Sequence, residues 1–122
     1  MLALILTWST EVFAKTWYVD SDNSPGGNGK SWANAVDTIH QAIKQAKKGD
    51  EIWVKAGTYA LSELIVVNKA IGIYGGFTGV EAERRQRNWT NHVTIIDGQD
   101  AVLHCLIINA DALVDGFIIS GG

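Results

Sequence analysis

The rhythm of apolar and polar positions changes once along the chain. Between Thr38 and Lys48, Ile39, Ala42, Ile43 and Ala46 fall at i, i+3, i+4 and i+7. That spacing predicts an amphipathic helix with one apolar stripe. Asp37 is placed to cap its first N–H groups, Lys47 and Lys48 complement the C-terminal dipole, and Gly49 supplies a left-handed stop. His40 falls on the polar side and is expected to be solvated. Ahead of the helix, Thr16 to Asp20 is a β-branched and aromatic run that reads as a strand. Asp22 to Lys30 is dense in turn formers and reads as a loop.

From Asp50 onward the helical period disappears. Short β-rich runs follow: Glu51–Val54, Leu64–Val67, Ile71–Tyr74, Val93–Ile96, Leu103–Ile108 and Ala112–Ile119. Three end alike, in Tyr74-Gly75, Asp97-Gly98 and Asp115-Gly116, and Lys55-Ala56-Gly57 is a looser version. Gly57, Gly75, Gly98 and Gly116 thus recur at intervals of about 20 residues, a spacing that predicts a solenoid of short strands. A β-sandwich would also show short strands between turns. Its strands should alternate apolar and polar, because each sheet has one wet face. Dense runs such as Ile107-Ile108 and Phe117-Ile118-Ile119 favour the solenoid. Its open end would expose unpaired backbone and core, so the helix is expected to lie across it as a cap, with Ile39 and Ile43 facing inward. Asn68 and Asn109, close to two such intervals apart, are expected at structural turns where Asn tolerates the left-handed conformation.

Composition narrows the function. The formal net charge is −3 and no basic block exists beyond a short Arg cluster, so nucleic-acid binding has no electrostatic footprint. A single cysteine, Cys105, excludes an internal disulfide and sits in an apolar run as an expected buried thiol. Of five Trp, most are expected to pack the core, although Trp also suits carbohydrate surfaces. Leu2 to Leu6, followed by Val12-Phe13-Ala14 ahead of Lys15, is expected to be a signal peptide over residues 1–14. It is too short for a membrane span. The expected organisation is then a strand, loop and capping helix over 15–49, and two to three coils over 50–122. Ser120-Gly121-Gly122 falls in mid-coil, so further C-terminal coils are expected beyond it.

Specific stretches add a family resemblance. Tyr18-Val19-Asp20, the Pro-Gly-rich loop, Thr38-Ile39-His40-Gln41-Ala42-Ile43 and above all Gly49-Asp50-Glu51-Ile52-Trp53-Val54-Lys55-Ala56-Gly57-Thr58-Tyr59 resemble the start of secreted right-handed parallel β-helix proteins of the pectate-lyase-like superfamily. Tyr74-Gly75-Gly76-Phe77-Thr78-Gly79-Val80-Glu81, Arg87-Asn88-Trp89 and Thr94-Ile95-Ile96-Asp97-Gly98 are similar to an exported bacterial subgroup. The resemblance implies a mainly β chain, a right-handed parallel β-helix with one N-terminal capping α-helix. It also implies a secreted or cell-surface location and polysaccharide as partner. It leaves activity open, since the superfamily holds lyases, hydrolases and adhesins. If the whole protein is an enzyme, the expectation is a polysaccharide lyase or glycoside hydrolase. No residue here matches a catalytic motif of the family. A non-catalytic adhesin or stalk is the alternative.

Two groups of side chains are candidates for binding. Arg84, Arg85 and Arg87 lie in the longest insertion, between Gly79 and His92, where guanidinium groups can hold uronate or sulfate. The simpler alternative, which the ordinary behaviour of surface charge favours, is an internally neutralised loop docked on the first coil by Trp89. Aligning the turn endings places Asp97 and Asp115 in one column about 4.8 Å apart, where they would repel unless bridged by a cation such as Ca2+. Against this, Asp before Gly is simply a good turn. Asp20 and Asp22 also suggest a calcium loop, but no Glu closes it at the twelfth position.

Overall fold

The computed structural model describes residues 14–122, so the expected signal peptide lies outside the described residues except for Ala14. One α-helix and nine strands occur among the described residues: β1 (Thr16–Val19), α1 (Ile39–Gln45), β2 (Glu51–Lys55), β3 (Gly57–Ala60), β4 (Ile65–Val67), β5 (Gly72–Phe77), β6 (Thr94–Asp97), β7 (Leu106–Ile108), β8 (Leu113–Asp115) and β9 (Ile118–Ser120). They form three sheets, ordered β1-β2-β5-β8, β3-β6-β9 and β4-β7. Every pairing between these strands is parallel, which excludes the antiparallel sandwich weighed against the solenoid. From β2 onward, successive strands join the first, second and third sheet in strict rotation.

Alternation along each strand sends one set of side chains between the sheets. Val19, Ile52, Val54, Ile65, Val67, Ile73 and Ile96 are buried there as one cluster, joined by Trp17, Tyr59 and Leu61. Cys105 belongs to the same cluster, and its thiol donates to the Ser120 carbonyl (3.2 Å). The run Ala112–Ile119 divides into two strands of different sheets at Gly116, whose φ of +85° turns the chain.

The recurring Gly endings therefore compare corners of different sheets. Gly57 opens β3 and Gly98 follows β6 in the second sheet, whereas Gly75 and Gly116 belong with the first. Turn chemistry looks alike at every corner because the backbone must bend at each. The true steps come from register, in which Trp53 faces Tyr74 and Tyr74 faces Asp115. The second step is much the longer, because it carries the insertion between Gly79 and His92. Asn68 and Asn109 flank the paired residues Val67 and Ile108, and Asn109 N–H donates to the Val67 carbonyl (2.8 Å). Neither Asn is left-handed, contrary to expectation. Among the described residues, positive φ outside glycine occurs only at Gln99 and Asp100.

Helix α1 is shorter than its periodicity suggests. Thr38, not Asp37, is the N-cap, with its hydroxyl accepting from Gln41 N–H (3.2 Å). The helix ends at Gln45, so Lys47 and Lys48 lie beyond it. Lys44 is the cation within the last turn, and Lys69 adds one from outside the helix, its Nζ donating to the Ile43 and Ala46 carbonyls (2.6 and 2.8 Å). Ile39, Ala42 and Ile43 are buried, and α1 packs on β1, β2 and β4. His40 is half-buried rather than solvated, with Nε2–H directed at the Glu63 and Leu64 carbonyls (3.2 and 3.1 Å). So short a helix depends on its caps. Thr38→Ala should lower stability by about 1 kcal/mol, read as a shift in urea midpoint at constant slope.

Candidate functional site

The first sheet is covered on both faces. Trp17, Ile52 and Ile73 point into the core, and one residue further along each strand Tyr18, Trp53 and Tyr74 form an outward row that ends at Asp115. The period of two would send Phe77 to the face opposite Tyr74. It does not, because β5 carries an extra residue against β2: Trp53 pairs with Tyr74, but Lys55 pairs with Phe77. The bulge at Gly75-Gly76 returns Phe77 to the outer face. There it stacks on Trp53 (centroids 4.9 Å, planes 9° apart), while Trp32 meets Tyr18 edge-on (4.8 Å).

Two loops close over this aromatic layer. Trp32 brings in the first, and its indole N–H donates to the Glu81 carbonyl (3.0 Å). Glu81 anchors the second. Its buried carboxylate accepts from the N–H groups of Thr78, Gly79 and Val80 and from the Thr78 hydroxyl, all within 3.2 Å. Burial alone would raise the Glu81 pKa, yet these donors together hold it below the ordinary value. From that anchor a 3₁₀ turn, Arg84–Gln86, is held by reciprocal bonds between Glu83 and Gln86.

The turn and the following residues set the three arginines over the sheet. Arg84 donates to Glu51 Oε2 (2.6 Å), and its guanidinium lies over the Tyr74 ring (4.5 Å). Glu51 accepts through its other oxygen from the Trp53 indole (2.8 Å). Arg87 is only 10% exposed. It lies against Tyr74 and Trp89, donates to the Gly75 carbonyl (3.0 Å) and is paired with Asp115. Arg85 is the open one, 82% exposed and paired with Glu83 (2.7 Å) within its own turn. Together with Thr16, Trp53, Ala82, Glu83 and the half-exposed Trp89, the three arginines and Glu51 line a cleft of about 590 Å³.

The candidate arginines are thus brought together, each with a carboxylate beside it. Sequence reasoning missed Glu51, Trp53 and Tyr74. Their signal was the period-two phase of Glu51-Ile52-Trp53 and Gly72-Ile73-Tyr74, which puts Glu51, Trp53 and Tyr74 on the outward face.

The pairing of Asp97 with Asp115 is corrected by the register. Asp97 lies in the second sheet opposite Ser120, and Asp115 lies in the first opposite Tyr74. Asp97 Oδ1 accepts from Gln99 N–H (2.8 Å), an Asx turn, and Asp115 binds Arg87. The two carboxylates therefore do not stack as neighbours in one column. Asp20 likewise accepts from Asp22 N–H (2.9 Å) and pairs with Lys55 (3.5 Å). Among the described residues no three His, Cys, Asp or Glu side chains are grouped to hold a metal ion, and no helix is long and apolar enough to cross a membrane. Compared with known proteins, the chain matches no family model, no curated protein and no solved structure.

Proposed function

We propose that this chain is part of a right-handed parallel β-helix of the pectate-lyase-like kind, exported or displayed at the cell surface, and that the arginine-lined cleft binds polysaccharide. The rotation of parallel strands through three sheets supports the fold reading. One observation carries the functional reading: an exposed indole, Trp89, stands beside guanidinium and carboxylate groups in one cleft over the first sheet. Sugar rings present an apolar C–H face to such an indole and hydroxyls to the polar groups around it. The cleft is assigned binding and no chemical step.

The test is isothermal titration of the chain with soluble oligosaccharides, neutral and acidic. Saturable binding is expected, weakened at least tenfold in Trp89→Ala with an unchanged far-UV spectrum. Absence of saturable binding to every sugar would overturn the reading. It would leave the second one, a non-catalytic adhesin or stalk in which the insertion only seals the aromatic layer. That alternative is favoured by the carboxylate partner each arginine already has.

A further inference from the structure

Resting on that polysaccharide reading, we infer that the cleft selects neutral sugars over acidic ones, the Arg84–Glu51 pair holding adjacent hydroxyls of one ring. The inference comes from charge balance. Arg84, Arg85 and Arg87 are matched by Glu51, Glu83 and Asp115, each cation within salt-bridge distance of its own carboxylate. A uronate or sulfate could still accept from a free guanidinium N–H, but it would meet a cation already neutralised by its own carboxylate, and that neighbouring carboxylate would repel it. Glu51 is held beside Arg84 by the Trp53 indole, which donates to its other oxygen.

A neutral ring meets no such opposition. Among the described residues Arg84 uses one guanidinium N–H in hydrogen bonding, and such a group carries several more. A carboxylate with two donors still has lone pairs to offer. One sugar hydroxyl can therefore accept from Arg84 while its neighbour donates to Glu51, and the ion pair stays intact. Trp89 lines the same cleft, and the exposed part of its indole, away from the face that Arg87 covers, supplies the apolar platform for the ring. Charge matching within the site thus acts against anionic ligands rather than for them, which is how specificity arises from unfavourable as well as favourable contacts.

The experiment titrates the full chain with neutral hexasaccharides of glucose, galactose and xylose and with a hexagalacturonate. Each titration is run at about 20 and about 200 mM NaCl, so that screening of exposed charge differs between the two. The expected result is binding of at least one neutral sugar, changing less than about twofold with salt, and at least tenfold weaker binding of the uronate. In Glu51→Gln, which keeps an acceptor for the Trp53 indole but frees the Arg84 charge, the preference should reverse and become salt-dependent. Tighter uronate binding by the unaltered chain would overturn the inference while leaving the polysaccharide reading intact. A preference unchanged in Glu51→Gln would also overturn it. Binding of none of the four sugars would remove both.

Discussion

Gly76→Ala should cost about 3 kcal/mol, combining an unfavourable backbone conformation with overpacking against a fixed neighbour. Gly76 has a φ of +95°, and a Cβ there would lie 2.7 to 2.9 Å from the Cα, N and Cβ of Trp89. Those atoms cannot yield easily. Asn88 N–H donates to the Gly76 carbonyl (2.8 Å), and Gly76 N–H donates to the buried Thr94 hydroxyl (2.9 Å). The added methyl would push the insertion off the sheet, and the bulge that turns Phe77 outward would be strained with it. Gly26→Ala is the control, since Gly26 has a similar φ of +101° with nothing within 4 Å of the added atom. Chemical denaturation of both variants separates clash from backbone cost. Equal losses would show that the insertion is not seated as described.

The second large effect is expected at Asp50. This buried carboxylate accepts from Lys15 N–H (2.9 Å), Lys47 N–H (2.8 Å) and the Trp17 indole (2.9 Å). It ties the start of β1 to the turn that follows α1. Asp50→Ala would leave the buried Trp17 indole and two partly buried backbone N–H groups without their acceptor, at a cost of about 3 kcal/mol. Asp50→Asn, which retains an acceptor, should lose less. Desolvation pushes the Asp50 pKa up, but the hydrogen bonds from Trp17, Lys15 and Lys47 and the Lys15 charge outweigh it and hold the group below its ordinary value. A carboxylate depressed in the folded state stabilises above its unfolded pKa, and that contribution disappears as pH falls through the folded value. Glu81 has the same sign. Stability should therefore be flat from neutral pH down to the ordinary carboxylate range and fall steeply below it. The fall should be shallower in Asp50→Asn. A parallel acid profile in the variant would exclude Asp50 as a source of the dependence.

How far the fold could be read from the residues depends on what each signal reports. The stripe of Ile39, Ala42 and Ile43 located α1 because burial and period coincide there. Its ends were less legible, since both Asp37 and Thr38 can cap, and the lysine that binds the C-terminal carbonyls, Lys69, comes from well beyond the helix in sequence. Strands β2, β4 and β6 stood out as dense β-branched runs. Strand β3, Gly-Thr-Tyr-Ala, did not, because its residues carry little apolar pattern and its pairing with β6 is what makes it a strand. Register was the least legible property. Asp97 and Asp115 end strands with the same Asp-Gly chemistry, and only the long-range pairing assigns them to different sheets. The arginine cluster was visible as composition. Its partners Glu51 and Asp115, distant in sequence from Arg84 and Arg87, could not be named without the fold.

The parallel arrangement also governs how the chain must find its structure. A strand can meet a parallel neighbour only after the chain has returned to its starting side, so no hairpin is available to begin with. Even a short return, from Glu51 to Gly72, is a full circuit of the three sheets, and Ile65 must wait for Leu106. Each loop is closed before any contact compensates its lost entropy. Such high contact order belongs to folding times on the order of milliseconds to seconds rather than microseconds. Of the elements among the described residues, only helix α1 and the 3₁₀ turn at Arg84–Gln86 close through local bonds, and α1, which packs on β1, β2 and β4, is the natural surface on which those strands first collect.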